Sequence, residues 1–129
     1  IIIKFMTMKK TRKNNHVWSK EDNIVALYYY RFGTQFLELT EREIAKQIGT
    51  TVASLKMQSK NFEMLDTGVS GLSDFSDTQE EVWNEYGKSI RYVLFKEVKK
   101  ALDLDKIIMA RLVKQKTLKG FRRLKPVSQ

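Results

Sequence analysis

The sequence contains no cysteine, a single proline and a single histidine, and no acidic side chain occurs among its first 20 residues. The absence of cysteine excludes a disulfide framework, a thiol nucleophile and a thiolate metal site. It also fits a reducing compartment, so we expect a cytoplasmic protein. Long apolar runs are lacking too, since the run at residues 1–3 ends at Lys4. We therefore expect neither a signal peptide nor a membrane partner.

Basic residues outnumber acidic residues, 24 to 15, and the excess lies at the two ends of the chain. The formal charge is +6 over residues 1–20, −7 over residues 21–87 and +10 over residues 88–129. Basic flanks around an acidic centre attract a polyanion to the ends of the chain through counterion release. The charge pattern therefore favours nucleic acid as a partner, and solubilisation by the flanks is the simpler alternative.

The chain has 129 residues, of which 42% are apolar. This length suits one domain with a packed core and is too short for two ordinary domains. We predict a disordered basic arm over residues 1–16, one helical domain over 17–113 with a helix-turn-helix over 40–66, and a basic tail over 114–129. The fold class is therefore all-α.

Capping signals predict three helices in the first half of the domain. The capping boxes that start the first two helices are Ser19 with Asp22 and Thr40 with Glu43. Glycines at positions 33 and 49 are placed to end these two helices. Thr50 or Thr51 caps a third helix that runs to about Asp66, and residues 67–77 are predicted to form a loop. The predicted buried positions are Ile24, Leu27, Tyr28, Phe32, Ile44, Ala45, Ile48, Val52, Leu55, Phe62 and Leu65.

The second half of the domain shows a longer amphipathic pattern, which predicts one long helix over residues 78–102. Its apolar positions are Val82, Tyr86, Ile90, Val93, Leu94, Val98 and Leu102. Asp103 or Asp105 then starts a short helix that continues through Leu112. Because the apolar stripe over 78–102 is longer than one small domain covers, the pattern also favours a homodimer.

The spacing around Gly49 predicts that the second and third helices form a helix-turn-helix. Ala45 is small enough for the helices to approach, Gly49 permits a left-handed turn, and Leu55 anchors the third helix. Thr51 and Ser54 would then lie at the amino end of a recognition helix, where hydroxyl and free N–H groups meet phosphates. The candidates to face a groove are Lys56, Gln58, Lys60 and Asn61. A plain helical hairpin is the alternative interpretation, and the acidic residues Glu41, Glu43, Glu63 and Asp66 favour it.

Basic residues on both sides of the domain are candidates for phosphate contacts. Those before the domain are Lys9, Lys10, Arg12 and Lys13, in the position from which homeodomain-like proteins reach a minor groove. Those after it are Lys114, Lys116, Lys119, Arg122, Arg123 and Lys125. We interpret both groups as phosphate-binding rather than merely solvated.

The segment from about His16 to Gly87 resembles the small amino-terminal domain that precedes an HNH nuclease domain in many bacterial restriction-type endonucleases. The pieces that carry the resemblance occur in the family's order. They are Trp18-Ser19-Lys20-Glu21-Asp22 with Ala26-Leu27, Glu43-Ile44-Ala45, Ile48-Gly49-Thr50, Ser54-Leu55-Lys56-Met57, Asn61-Phe62, Leu65-Asp66, Gly71-Leu72-Ser73 and Glu81-Val82-Trp83-Asn84-Glu85. The resemblance implies a role in DNA recognition. No HNH domain follows Tyr86, however, and the nuclease activity is not implied for this chain.

No catalytic site is predicted. An HNH site needs a general-base histidine and further metal ligands, which His16 alone cannot supply. Glu97 and Lys99 form an E-x-K string of the kind that holds magnesium when it lies on a strand, but the apolar spacing around it is helical. We expect no metal and no cofactor. An enzyme would have to depend on a divalent ion, and it ranks last among the candidate functions.

The aromatic residues Trp18, Tyr28, Tyr29, Tyr30 and Phe32 offer a further alternative, a platform on which single-stranded bases stack. Adjacent tyrosines on a helix point in different directions, so we interpret this run as core and edge.

The leading hypothesis is therefore a module that binds double-stranded DNA, possessing no catalytic site of its own. The rival from another class is a protein-interaction factor of a phage or mobile element, whose acidic centre contacts a partner protein.

Overall fold

A computed structural model describes residues 16–68 and 75–127 of the chain, with side chains as far as Thr117. These residues form six α-helices and no strand, so the all-α prediction is confirmed. The helices are α1 (Lys20–Phe32), α2 (Glu41–Ile48), α3 (Val52–Thr67), α4 (Asp77–Tyr86), α5 (Arg91–Leu102) and α6 (Leu104–Val127). The predicted loop over 67–77 falls largely on residues 69–74, which lie outside the described residues.

The first three helices begin and end close to where their capping signals predict. Ser19 and Asp22 form a reciprocal capping box before α1, and Thr40 and Glu43 form one before α2. The Thr51 hydroxyl accepts a hydrogen bond from the Ser54 backbone N–H at 3.1 Å, which identifies Thr51 as the cap of α3. Each cap satisfies backbone donors that a helix start leaves without partners.

The single long helix predicted over 78–102 is wrong, because the chain breaks between Tyr86 and Arg91 to form α4 and α5. Gly87 follows α4, and a Cβ at this position would lie 2.5 Å from the Trp83 carbonyl oxygen. Arg31 of α1 donates a hydrogen bond to the Ser89 carbonyl oxygen at 2.5 Å and so ties the break to the domain. The stripe that favours a homodimer is therefore not continuous.

Two consequences of this break correct the sequence interpretation. Ile90 and Val93 belong to the apolar stripe predicted over 78–102, but they are 68% and 42% exposed, since α5 starts anew at Arg91 with its own register. The helix predicted to be short is 24 residues long and continues to Val127. Asp103, with φ of 54°, makes the sharp turn that separates α5 from α6.

Helix α1 lies at the centre of the domain and packs against α3, α4 and α5. Its residues 23–28 are all buried, so this helix presents apolar side chains to several neighbours rather than along one stripe. Helix α2 packs against α3 and α5, and α6 packs against α5. The fully buried side chains that the other helices add to the core are Ile44, Leu55, Phe62, Val82, Leu94, Val98, Leu102 and Leu104.

Amide side chains link three of the helices across this core, and two of them, Asn23 and Gln79, are buried. The Gln58 amide of α3 donates to the Asn23 side chain of α1 at 2.9 Å. Gln79 of α4 donates to the Gln58 carbonyl oxygen at 3.2 Å and accepts from the Asn61 side chain at 3.1 Å. Because buried polar groups require partners, these bonds fix the register of α3 against α1 and α4.

The loop between α1 and α2 contains two non-glycine residues with left-handed backbone, Phe36 with φ of 64° and Glu38 with φ of 58°. Such conformations cost roughly 1–3 kcal/mol each and persist where the surroundings impose them. Here Leu37 is buried in the core, and the Tyr28 hydroxyl donates to the Gln35 carbonyl oxygen. The strained loop thereby sets where α2 begins.

Candidate nucleic-acid interface

Residues 49–51 join α2 to α3 in a tight turn centred on a glycine. Gly49 adopts the left-handed conformation, with φ of 95° and ψ of 30°, which a side chain would disfavour. The Gly49 N–H donates to the Ala45 and Lys46 carbonyl oxygens, and the Thr50 N–H donates to the Ala45 carbonyl oxygen at 2.8 Å. These bonds satisfy the end of α2 and lead directly into the cap of α3.

The two side chains predicted to hold α2 against α3 are both buried. Ala45 is 2% exposed and Leu55 is fully buried, and the two helices pack against each other. A small residue on α2 and a branched apolar residue on α3 allow close approach at this crossing. The pair therefore presents the start of α3 at a defined position beside the turn.

The outer face of α3 carries two exposed lysines one turn apart. Lys56 and Lys60 are both exposed, and Met57 beside them is 62% exposed. Thr51 is exposed at the start of the helix, and Ser54 is half-buried with its N–H bonded to the Thr51 hydroxyl. Four of the predicted contact residues, Thr51, Ser54, Lys56 and Lys60, thus lie along the amino-terminal three turns of one helix.

Gln58 and Asn61, the other two candidates on α3, bind within the domain. The Gln58 amide donates to Asn23, and the Asn61 amide donates to Gln79. The sequence could have predicted the inward position of Gln58. This residue lies three positions after Leu55 and four before Phe62, which is the spacing of the buried face of α3. The structure therefore separates the amides from the lysines and gives the amides a role in holding α3.

The four carboxylates whose repulsion opposes phosphate binding each have a donor close by. The Tyr29 hydroxyl donates to Glu41, and the Tyr30 hydroxyl donates to Asp66 at 2.8 Å. Lys60 lies 3.5 Å from Glu63. Arg111 of α6 donates to Glu43 at 2.7 Å, and the Thr40 N–H together with this guanidinium lowers the pKa of Glu43. The positive side chains of Lys60 and Arg111 partly offset the charges of Glu63 and Glu43, whereas the neutral phenols leave Glu41 and Asp66 charged.

Burial and a neighbouring carboxylate raise the pKa of Tyr29 and the pKa of Tyr30 to about 12 in each case. The folded state favours the neutral phenols, so this contribution to stability is complete below pH 10 and is lost as the pH rises towards 12. We expect the midpoint of thermal unfolding to fall across this window. An ultraviolet tyrosinate titration should show a late phase that Tyr29→Phe with Tyr30→Phe diminishes, and a late phase unchanged in that variant would contradict the assignment.

A shallow groove of about 280 Å³ separates α1 from α3 beside the lysines. The residues that line it are Tyr29, Tyr30, Lys56, Ser59, Lys60 and Glu63. Two tyrosine rings and two ammonium groups at one surface are suited to contacts with a sugar-phosphate backbone. The aromatic run of α1 thus combines a buried Tyr28 with half-buried Tyr29 and Tyr30 at the edge of this groove.

The candidates outside α3 are only partly described. Lys114 and Lys116 are exposed on α6. The side chains of Lys119, Arg122 and Arg123, and residues Lys9, Lys10, Arg12 and Lys13, lie outside the described part of the chain. Their proposed phosphate contacts rest on the sequence.

His16 makes contacts that the sequence interpretation missed. Its Nε2 lies 2.7 Å from the Asp22 Oδ2, and its ring meets the Trp18 ring edge to face with centroids 5.1 Å apart. Its ring also passes close to Gly49, where a Cβ would lie 3.8 Å from it. No helical or turn spacing relates residue 16 to the α2–α3 turn, so the sequence offers no signal for this packing.

Within the ranges 16–68 and 75–127, no cluster of three or more histidine or acidic side chains is arranged to hold a metal ion. Glu97 and Lys99, the E-x-K pair, lie on helix α5 rather than on a strand. None of the helices in the described part of the chain is long and apolar enough to cross a membrane.

Comparison of the chain with protein-family models, with curated proteins and with solved structures gives no match.

Proposed function

We propose that the chain binds double-stranded DNA through α2 and α3, which act as a helix-turn-helix with α3 as the recognition helix. The observation that carries the proposal is the outer face of α3, where Lys56 and Lys60 are exposed directly after the tight turn at Gly49. A helix of this kind fits the major groove with its amino-terminal residues nearest the bases.

The proposed contacts are of two kinds: those of α3, which position the domain on the duplex, and those of the basic chain ends, which add electrostatic affinity. Free N–H groups in the first turn of α3 and the Thr51 hydroxyl face a phosphate, and Lys56 and Lys60 contact phosphates or guanine edges. Gln58 and Asn61 hold the helix from behind and contact no base in this arrangement. The basic residues at both ends of the chain supply most of the salt-sensitive affinity. The resemblance to domains of restriction-type endonucleases suggests a restriction-associated or regulatory role.

Substitution of the α3 lysines tests the proposal directly. We expect Lys56→Gln with Lys60→Gln to weaken binding to a duplex by about tenfold or more and to reduce the salt slope of log K by about 2. Fluorescence anisotropy at several salt concentrations measures both quantities. The matched control is Lys88→Gln, an exposed lysine between α4 and α5, which should change affinity little.

Two results would contradict DNA recognition by α3. In the first, the intact chain binds no duplex at moderate salt, and a protein that contacts the acidic centre becomes the leading candidate partner. In the second, the double variant binds as tightly as the unaltered chain, which assigns all affinity to the basic ends. Circular dichroism should show unchanged helix content in the variants, because both lysines are exposed.

A further inference from the structure

Helix α6 extends well past the part of it that packs on the domain. Leu104 is buried, and Ile107 and Ile108 are half-buried against the core. From Leu112 to Thr117 every side chain is exposed. At 1.5 Å per residue, the helix between Arg111 and Val127 adds roughly 24 Å, which equals about seven base pairs of a duplex at 3.4 Å each.

Arg111 joins α6 to the start of α2 at the point where α6 leaves the core. Its Nη1 donates to the Glu38 carbonyl oxygen at 2.6 Å, and its Nη2 donates to the Glu43 carboxylate at 2.7 Å. Glu38 is one of the two left-handed residues in the loop before α2, and Glu43 belongs to the capping box of α2. One guanidinium therefore bridges α6 to the helix that precedes α3.

The segment of α6 beyond this bridge is strongly basic. The chain has no acidic residue after Asp105, and its bases beyond Arg111 are Lys114, Lys116, Lys119, Arg122, Arg123 and Lys125. An extended helix with charge of one sign is complementary to the phosphate backbone of a duplex. It repels a second copy of itself, so charge favours DNA over self-association at this helix.

We propose that Arg111 is a positioning residue that holds the basic segment of α6 at a fixed orientation to α2 and α3, so that α3 and α6 contact the same duplex at once. This inference rests on the proposed function. The fixed orientation makes the second contact intramolecular, which raises overall affinity without any new contact at α3. A short duplex accommodates α3 alone, whereas a longer one accommodates both elements.

The dependence of affinity on duplex length tests the role of Arg111. We compare duplexes of about 10 and about 30 base pairs, one and three helical turns, of which the second is longer than α3 and the free part of α6 together. The unaltered chain should bind the longer duplex on the order of 100-fold more tightly per site. Arg111→Gln should reduce this gain to about tenfold and leave the affinity for the short duplex unchanged.

Two further variants separate positioning from loss of charge. Lys106→Gln removes one exposed positive charge from the same helix and should retain the length gain. Glu43→Gln removes the ion pair of the bridge but leaves the bond from Arg111 to the Glu38 carbonyl oxygen, so it should lose part of the gain, although the charge of α6 is intact. This second route keeps the inference testable should Arg111→Gln fold poorly, as thermal unfolding would reveal.

The outcomes distinguish this inference from the proposed function. If both bridge variants retain the full length gain while the Lys56 and Lys60 substitutions weaken binding, the role of Arg111 is overturned and DNA recognition by α3 stands. If the unaltered chain binds neither duplex, the proposed function fails first. If the length gain falls with Arg111→Gln and Glu43→Gln but not with Lys106→Gln, the positioning role is supported.

Discussion

Replacing Phe62 with alanine is expected to lower the free energy of unfolding by about 3–5 kcal/mol, a large part of the roughly 5–15 kcal/mol that stabilises a typical domain. Phe62 is fully buried and belongs to the main core cluster, on the face of α3 that packs against α1. The substitution removes the transfer free energy of an aromatic ring and leaves a cavity that the packed helices close only in part. Urea unfolding followed by circular dichroism measures the effect.

Met57→Ala is the matched control, since Met57 lies on the same helix with 62% of its surface exposed. This variant should change the free energy of unfolding by less than about 0.5 kcal/mol. A loss of less than about 1 kcal/mol on Phe62→Ala would contradict the placement of α3 in the core. Met57→Ala also bears on DNA binding, because Met57 is exposed and lies between Lys56 and Lys60 in the sequence.

The first three helices could be predicted because their signals are local. The capping boxes at Ser19 and Thr40 and the left-handed turn at Gly49 depend on residues no more than four positions apart. Such contacts form from backbone donors and short side chains of the same turn, so the sequence determines them without knowledge of the rest of the fold.

The break between α4 and α5 could not be predicted from apolar spacing, because Val82, Tyr86, Ile90, Leu94 and Val98 recur every four residues across it in the sequence. The break rests on one tertiary contact, made by Arg31, and on one local feature, the glycine at position 87. Arg31 of α1 donates to the Ser89 carbonyl oxygen, and Gly87 fits a space against Trp83 where a Cβ would clash. A sequence pattern carries no information on a carbonyl group that a distant arginine binds.

The candidate site also has one part that local spacing predicts and another that depends on contacts between distant residues. Exposure of Lys56 and Lys60 follows from their spacing relative to Leu55 and Phe62, and the structure agrees. The partners of the acidic residues could not be predicted, since Arg111 reaches Glu43 across 68 positions and Tyr30 reaches Asp66 across 36. Because Arg111 binds Glu43, a charge count by segment overstates the negative charge of the folded acidic centre at that one residue.

Neutralising the arm before the domain is expected to have the largest effect on DNA binding. In this variant Lys9, Lys10, Arg12 and Lys13 are replaced by glutamine. Four fewer phosphate contacts reduce the slope of log K against log salt by about 3.6, since each contact contributes about 0.9. A fourfold rise in salt should therefore weaken binding of the unaltered chain about a hundredfold more than that of the variant. Salt titrations of both proteins against the same duplex measure the two slopes.

The control for the arm changes its polar residues and keeps its charge, with Thr11, Asn14 and Asn15 replaced by alanine. Counterion release depends on charges near phosphates and not on neutral side chains, so this variant should have the slope of the unaltered chain. If the charge-neutralised arm also leaves the slope unchanged, the arm contacts no phosphate. The salt dependence of binding would then arise from α3 and α6, whose orientation relative to each other is held by Arg111.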